Sequence, residues 1–220
     1  MIAIKKQSLA DKAYQKLLRK ILSGKIAEGE RIVIDRIAKE LDISLIPVRE
    51  ALARLYAQGM VKYVANKGYQ VISAPTTSDY DQLFAARLSM EYGAMHIAFD
   101  NINDKFVAKL EDINNRIREI DSSDTSKVFS QFIKLNDAFH LALVSLTSST
   151  PLVEAYDKLG YGPQIGRRMY HKGVPDLSIN IAEHDIIIKA LKERNRTTAL
   201  AALDNHNYGS LARFKSNFVD

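Results

Sequence analysis

Ile43-Ser44-Leu45-Ile46-Pro47-Val48-Arg49-Glu50-Ala51-Leu52 has the grammar of a short helix with one apolar face and one polar face. Ser44 suits the N-cap, and Pro47 falls in the first turn, where a missing N–H costs little. Val48, Ala51, Leu52 and Leu55 recur at the spacing of a single buried face. Arg49 is one residue, about 100°, round from Val48 and therefore faces away from the core. Upstream, Ser8 and Asp11 make a capping-box pattern for a helix to Ser23 with Leu9, Ala13, Leu17 and Ile21 along one stripe, and Gly24 stops it. Ile34, Ile37, Ala38 and Leu41 mark a second helix, and Asp42-Ile43 leaves room only for a tight turn into the Ser44 helix. Downstream, Gly59 ends that helix. The β-prone runs Val61 to Val64 and Tyr69 to Ile72 flank Asn66-Lys67-Gly68, as in a hairpin with a cation at its tip. Three helices and a hairpin in this order predict a winged helix-turn-helix, whose last helix enters a DNA major groove.

Charge agrees with that expectation. Residues 1–75 hold 14 Lys and Arg against 7 Asp and Glu, whereas residues 76–220 hold 17 against 19. The basic excess is confined to the part that would neutralise phosphates. No apolar run approaches the roughly 20 residues that cross a bilayer, and the first residues lack the apolar stretch of a secretory signal. The chain has no Cys, which excludes disulfides and thiolate metal sites. These features predict a cytoplasmic protein with no membrane partner.

Ser73-Ala74-Pro75-Thr76-Thr77-Ser78 is a short polar link, after which the period is helical. The expected architecture is mainly α: a winged helix-turn-helix in residues 1–75, then an all-α six-helix bundle in 76–220. The six spans read as 79–100, 103–121, 126–147, 151–170, 177–194 and 197–218, with Asn103, Thr150-Pro151 and Asp176 as start signals. Gly160-Tyr161-Gly162-Pro163 should kink or divide the fourth.

Several polar residues interrupt apolar stripes of these helices. Asn136 and His140, one turn apart, fall within or beside the stripe Phe132, Leu135, Phe139 and Leu143. His184 shares the inner face of Leu177, Ile181, Ile188 and Leu191, and His206 follows Leu203 by one turn. Buried imidazoles and amides need partners, and a divalent metal is the simplest partner that several can share. His96 and His171 fit no such pattern and read as surface residues. Phe84, Met90 and Met95 read as core or dimer contacts.

The N-terminal arrangement resembles the GntR family of bacterial transcription regulators. Ser44, Pro47, Val48, Arg49, Glu50, Ala51 and Leu52 match the family's Ser-Arg-Thr-Pro-Val-Arg-Glu-Ala-Leu recognition helix, while Leu45 and Ile46 replace its Arg and Thr. The resemblance implies DNA contacts from Ser44, Leu45, Arg49, Lys67 and Gly68. Leu45 offers a thymine methyl an apolar surface where the family's arginine would donate hydrogen bonds. The helical part is similar to the FCD effector domain of the FadR subfamily. That domain often holds a metal through an Asp or Asn and a His four residues apart and two later His, which implies Asn136, His140, His184 and His206 here. Zinc, nickel or manganese would suit such ligands, with the neutral amide of Asn136 weakening the site relative to a carboxylate. Asp137, a third of a turn away, is a poor substitute. Arg87 is similar in position to an arginine that the family points at a carboxylate effector, although an Arg87–Glu91 pair on a solvated face is an equal reading.

The expected function is therefore a homodimeric, ligand-responsive regulator, a repressor by the family's implication, that binds a pseudo-palindromic double-stranded operator and senses a small organic acid. A metal-free regulator that binds its acid or acyl effector directly is the alternative. A metal-dependent enzyme is disfavoured, because no His-Glu-x-x-His occurs and Glu183 should point about 100° away from His184.

Overall fold

Ser8 opens the first helix as its sequence predicts. In the computed structural model, which describes residues 8–73, 76–121, 125–160, 162–165 and 177–216, the Asp11 N–H donates to Ser8 Oγ at 3.0 Å and the Ser8 N–H donates back to the Asp11 carboxylate at 3.2 Å. Helix α1, Leu9–Leu22, buries Ala13, Tyr14, Leu17, Leu18, Ile21 and Leu22. It is fastened to α3, Leu45–Ala57, by an Arg54–Asp11 ion pair of 2.8 Å and by the Tyr14 hydroxyl, which donates to Gln58 Oε1 at 2.7 Å. Between them α2, Ile34–Leu41, ends on Asp42 in the left-handed region at φ 53°, and that single residue reverses the chain into α3.

Val48, Ala51, Leu52 and Leu55 of α3 are wholly buried. Ser44 does occupy the N-cap, but its side chain makes no capping hydrogen bond. The reason lies three residues on: an N-cap hydroxyl bonds the second or third helical N–H, and the third residue here is Pro47, which has none.

Strands β1, Val61–Val64, and β2, Gly68–Val71, pair antiparallel with Val61 opposite Val71 and Val64 opposite Gly68. Asn66 and Gly68 take the positive φ values, 62° and 78°, that the tight tip demands. Arg31 bridges Gln70, and the Ile32 N–H donates to the Tyr69 carbonyl at 2.9 Å. The segment before α2 thus serves as a third extended edge that roots the hairpin on the helices.

Two compact units divide the chain, Met1–Ala74 and Pro75–Asp220. In the second, α4, Thr77–Ala98, begins on a Thr76–Asp79 capping box and is followed by a 3-10 turn at Phe99–Asn101. Next come α5, Asp104–Arg118, capped by Asn103; α6, Thr125–Ser145; α7, Thr150–Lys158; α8, Leu177–Lys192; and α9, Arg196–Ser216. Helix α5 packs on α6 and α8, α8 on α9, and α4 on α6 and α9. Their common core includes Leu110, Ile117, Phe139, Leu143, Leu191 and Leu203.

The helix expected over 151–170 is shorter than its span. It ends at Lys158, Gly160 turns at φ 58°, and a separate helical turn follows at 162–165. Glycine removes the steric barrier to left-handed backbone, so the chain breaks there rather than bending. Residues 166–176, with His171 and the Asp176 start signal, lie outside the described residues. Among the described residues no helix is long and apolar enough to cross a membrane.

Candidate metal centre and DNA-reading helix

Three helices deliver one histidine each to the interior of the second unit. His140 comes from α6, His184 from α8 and His206 from α9, all buried, and one ring nitrogen of each lies within 4.8 Å of the others. The remaining ring nitrogens are held from behind. Asn114 donates from Nδ2 to the Ile181 carbonyl at 3.1 Å and to Asp185 Oδ1 at 2.7 Å, so its Oδ1 must be the atom 3.2 Å from His184 Nδ1. His206 Nδ1 lies 2.8 Å from Glu183 Oε2, and His140 Nδ1 lies 3.1 Å from Glu91 Oε1. Acceptors behind Nδ1 of His184 and His206 favour the proton there and leave their Nε2 lone pairs facing inward, whereas His140 Nδ1 approaches Glu91 without hydrogen-bond geometry. The Phe139 ring, stacked on His184 at 3.8 Å, fixes the plane of that imidazole.

The inward atoms are poorly satisfied by protein alone. His140 Nε2 and His206 Nε2 stand 3.1 Å apart, close enough to share one proton or one metal ion. Among the described residues neither His184 Nε2 nor Asn136 Oδ1, both buried, has a hydrogen-bond partner. Burial pushes the His140 imidazolium down to about 3, holds His184 well below its usual range and lowers His206 as well. All three are therefore neutral near pH 7, the state in which imidazole binds a metal. A divalent cation held by His140, His184 and His206 would give these buried nitrogens a shared partner, and Asn136, one turn before His140, would offer a neutral oxygen. The residues fit a metal.

Behind the histidines lies a buried charge network. Arg87 and Glu91 do pair, with Nε donating to Oε1 at 2.7 Å, but not on a solvated face: they are 1% and 0% exposed. Glu91 also accepts from the Tyr156 hydroxyl at 2.5 Å and from Asn207 Nδ2 at 3.0 Å. Burial pushes the Glu91 carboxyl up, yet the Arg87 charge, helped by hydrogen bonding from Tyr156, holds the group well below the carboxylate range. Glu183, beside His184 in sequence, turns instead to His206 and to Arg213, whose guanidinium reaches both of its oxygens at 2.7 Å. Asp137 accepts from the backbone of Gly162, packed so closely that a Cβ there would lie 2.1 Å from Oδ2. Burial pushes its carboxyl up to about 7.

The four expected ligands thus share one unit, with the three histidines clustered and Asn136 one turn before His140. Asn114, Tyr156, Asn207 and Arg213 escaped the sequence reading. Asn114 had left a signal, since it interrupts the buried stripe of Leu110, Ile113 and Ile117 on α5. His96 is exposed, while Phe84 and Met95 are buried.

In the first unit, Ser44, Leu45 and Arg49 are exposed at the start of α3, and Lys67 and Gly68 form the hairpin tip. Residues 9–71 match the family described as bacterial regulatory proteins, gntR family, and residues 82–208 match the FCD domain. The chain belongs to the GntR family, with an FCD domain.

Relatives of this GntR regulator are regulators too. It is 25% identical over 186 residues to the uncharacterized HTH-type transcriptional regulator YdhC of Bacillus subtilis, covering 84% of this chain and 82% of YdhC. It is 26% identical over 147 residues to the HTH-type transcriptional repressor GlaR of Escherichia coli, 66% of each chain. The structure of E. coli McbR/YncC shares its fold with a TM-score of 0.74 at 20% identity, over 96% of this chain and 99% of that one. Family and relatives are transcription regulators, not enzymes, and GntR regulators bind DNA and answer to small molecules in the FCD domain.

Proposed function

We propose that this regulator is a cytoplasmic homodimer that represses transcription from a pseudo-palindromic operator, with residues 1–75 reading DNA and residues 76–220 binding effector and joining the two copies. Repression is supported by the likeness to GlaR, described as a repressor. In the DNA-reading unit the contacts come from Ser44, Leu45, Arg49, Lys67 and Gly68, with α3 in the major groove and the hairpin beside it.

In the helical unit His140, His184, His206 and the Asn136 oxygen hold a divalent metal, with zinc, nickel and manganese all compatible with three imidazoles and one amide. The observation that carries this reading is the cluster of three buried histidines from three helices, two of them held at Nδ1 by Asn114 and Glu183. A bound ion would supply a Lewis acid for the carboxylate and hydroxyl of a small organic acid. Arg87, already neutralised by Glu91, then supports the pocket's charge and shares the effector rather than binding it alone. Effector that prefers one dimer arrangement shifts operator affinity by that preference.

The test is a titration of operator DNA with native and chelator-stripped regulator against a panel of hydroxy and carboxylic acids. Response lost on stripping and restored by metal supports the reading. Response that survives stripping favours direct binding by a metal-free pocket, which the neutral amide of Asn136 makes the second reading.

A further inference from the structure

The buried face of α3 is drawn by Val48, Ala51, Leu52 and Leu55. At about 100° per residue, Ile46 points almost opposite to that face, and Ala53 and Ala57 continue its outward line. Arg49 flanks this line on one side and Glu50 on the other. Ile46 is 67% exposed and Leu45 beside it 38%. Two large apolar side chains therefore stand in water at the N-terminal end of the second helix of a helix-turn-helix, the end that meets base edges. They do so in a unit with twice as many cations as anions, 14 against 7 over residues 1–75. Neither side chain can donate or accept a hydrogen bond. The apolar feature that a major groove offers them is the 5-methyl group of thymine.

We propose that Ile46, with Leu45 beside it, reads thymine through its 5-methyl group, so that the operator half-site carries T·A pairs under the first turn of α3 while Arg49 makes the polar base contact one turn further in. The inference rests on α3 being the groove-entering helix. Because the contact is apolar, it separates thymine from cytosine and from uracil by the methyl alone, and 5-methylcytosine mimics thymine there.

The experiment selects duplexes from a random pool with the full-length protein, then replaces each thymine of the selected half-site by deoxyuridine. The expected result is a loss of about fourfold in affinity for each contacted methyl, the worth of one buried methylene. Ile46→Ser should lose the preference and become insensitive to deoxyuridine at the same position. Replacing that thymine by cytosine should weaken binding by the wild-type protein, and 5-methylcytosine should restore part of the loss. Selected sequences whose affinity is indifferent to deoxyuridine at every thymine overturn the proposal alone. So does a deoxyuridine loss that is undiminished in Ile46→Ser. A pool that enriches no sequence overturns the DNA-reading role of α3 and the proposal with it.

Discussion

Arg49 and Glu91 carry their charges in opposite surroundings, and their substitutions should fail in opposite ways. Arg49 is exposed on α3, so Arg49→Ala should leave the thermal midpoint unchanged and weaken specific DNA binding by about 5- to 150-fold, the worth of one good base contact. A gel-shift titration with unchanged affinity would remove Arg49 from the interface. Glu91 is sealed among Arg87, His140, Tyr156 and Asn207. Glu91→Leu strands the Arg87 charge in the core, and denaturant unfolding should show a loss of about 3–5 kcal/mol.

The buried histidines also set a pH dependence. Their folded pKa values lie below the ordinary 6.5, with His140 at about 3, so below pH 6.5 the unfolded chain binds protons that the folded one does not. Stability contributed by the neutral imidazoles is present above pH 6.5 and is lost as pH falls toward 3. The melting temperature of the metal-free protein should therefore drop on acidification from pH 7, and a flat profile between pH 7 and 5 would contradict the burial of these rings. Asp137 runs the other way. Its folded pKa of about 7 exceeds the ordinary 3.8, so its contribution is full below pH 3.8 and lost as pH rises through 7. Between pH 7 and 3.8 this gain on acidification opposes the histidine loss, so Asp137→Asn should steepen the fall of the melting temperature in that window.

Among the elements, those built from local rules were legible in advance. The Ser8–Asp11 box, the stripe of α3, the Asn66-Lys67-Gly68 tip and the break at Gly160 each depend on residues within one or two turns of each other. The histidines were legible because they interrupt apolar stripes. Their supports were not: Asn114 meets His184 across 70 residues of sequence, and Glu183 meets His206 across 23. Periodicity tells that a polar side chain is buried but not which helix it will face. The edge pairing of Arg31 with Gln70 was hidden for the same reason, and the missing Ser44 cap follows from a competition between two local signals, N-cap Ser and Pro at the third helical position. These long-range supports have a measurable role. Asn114→Leu and Glu183→Gln should each weaken metal binding about 10- to 100-fold, as loss of the group that orients a ligating histidine does elsewhere. Metal affinity equal to the parent in both variants would make those contacts mere packing.

At the scale of the whole molecule, the charge excess belongs to one unit and the buried polar cluster to the other, a division suited to a protein that reads a polyanion with one part and a small molecule with the other. Coupling between them requires that the effector bind two states unequally. The centre of this account is that the three histidines form a metal site, and elemental analysis of untagged protein, purified without chelator beside His184→Ala with its fold checked by circular dichroism, tests it most directly. Close to one equivalent of a divalent transition metal is expected in the parent and little in the folded variant. Absence of metal from the parent even after reconstitution, or equal metal in both, would contradict it.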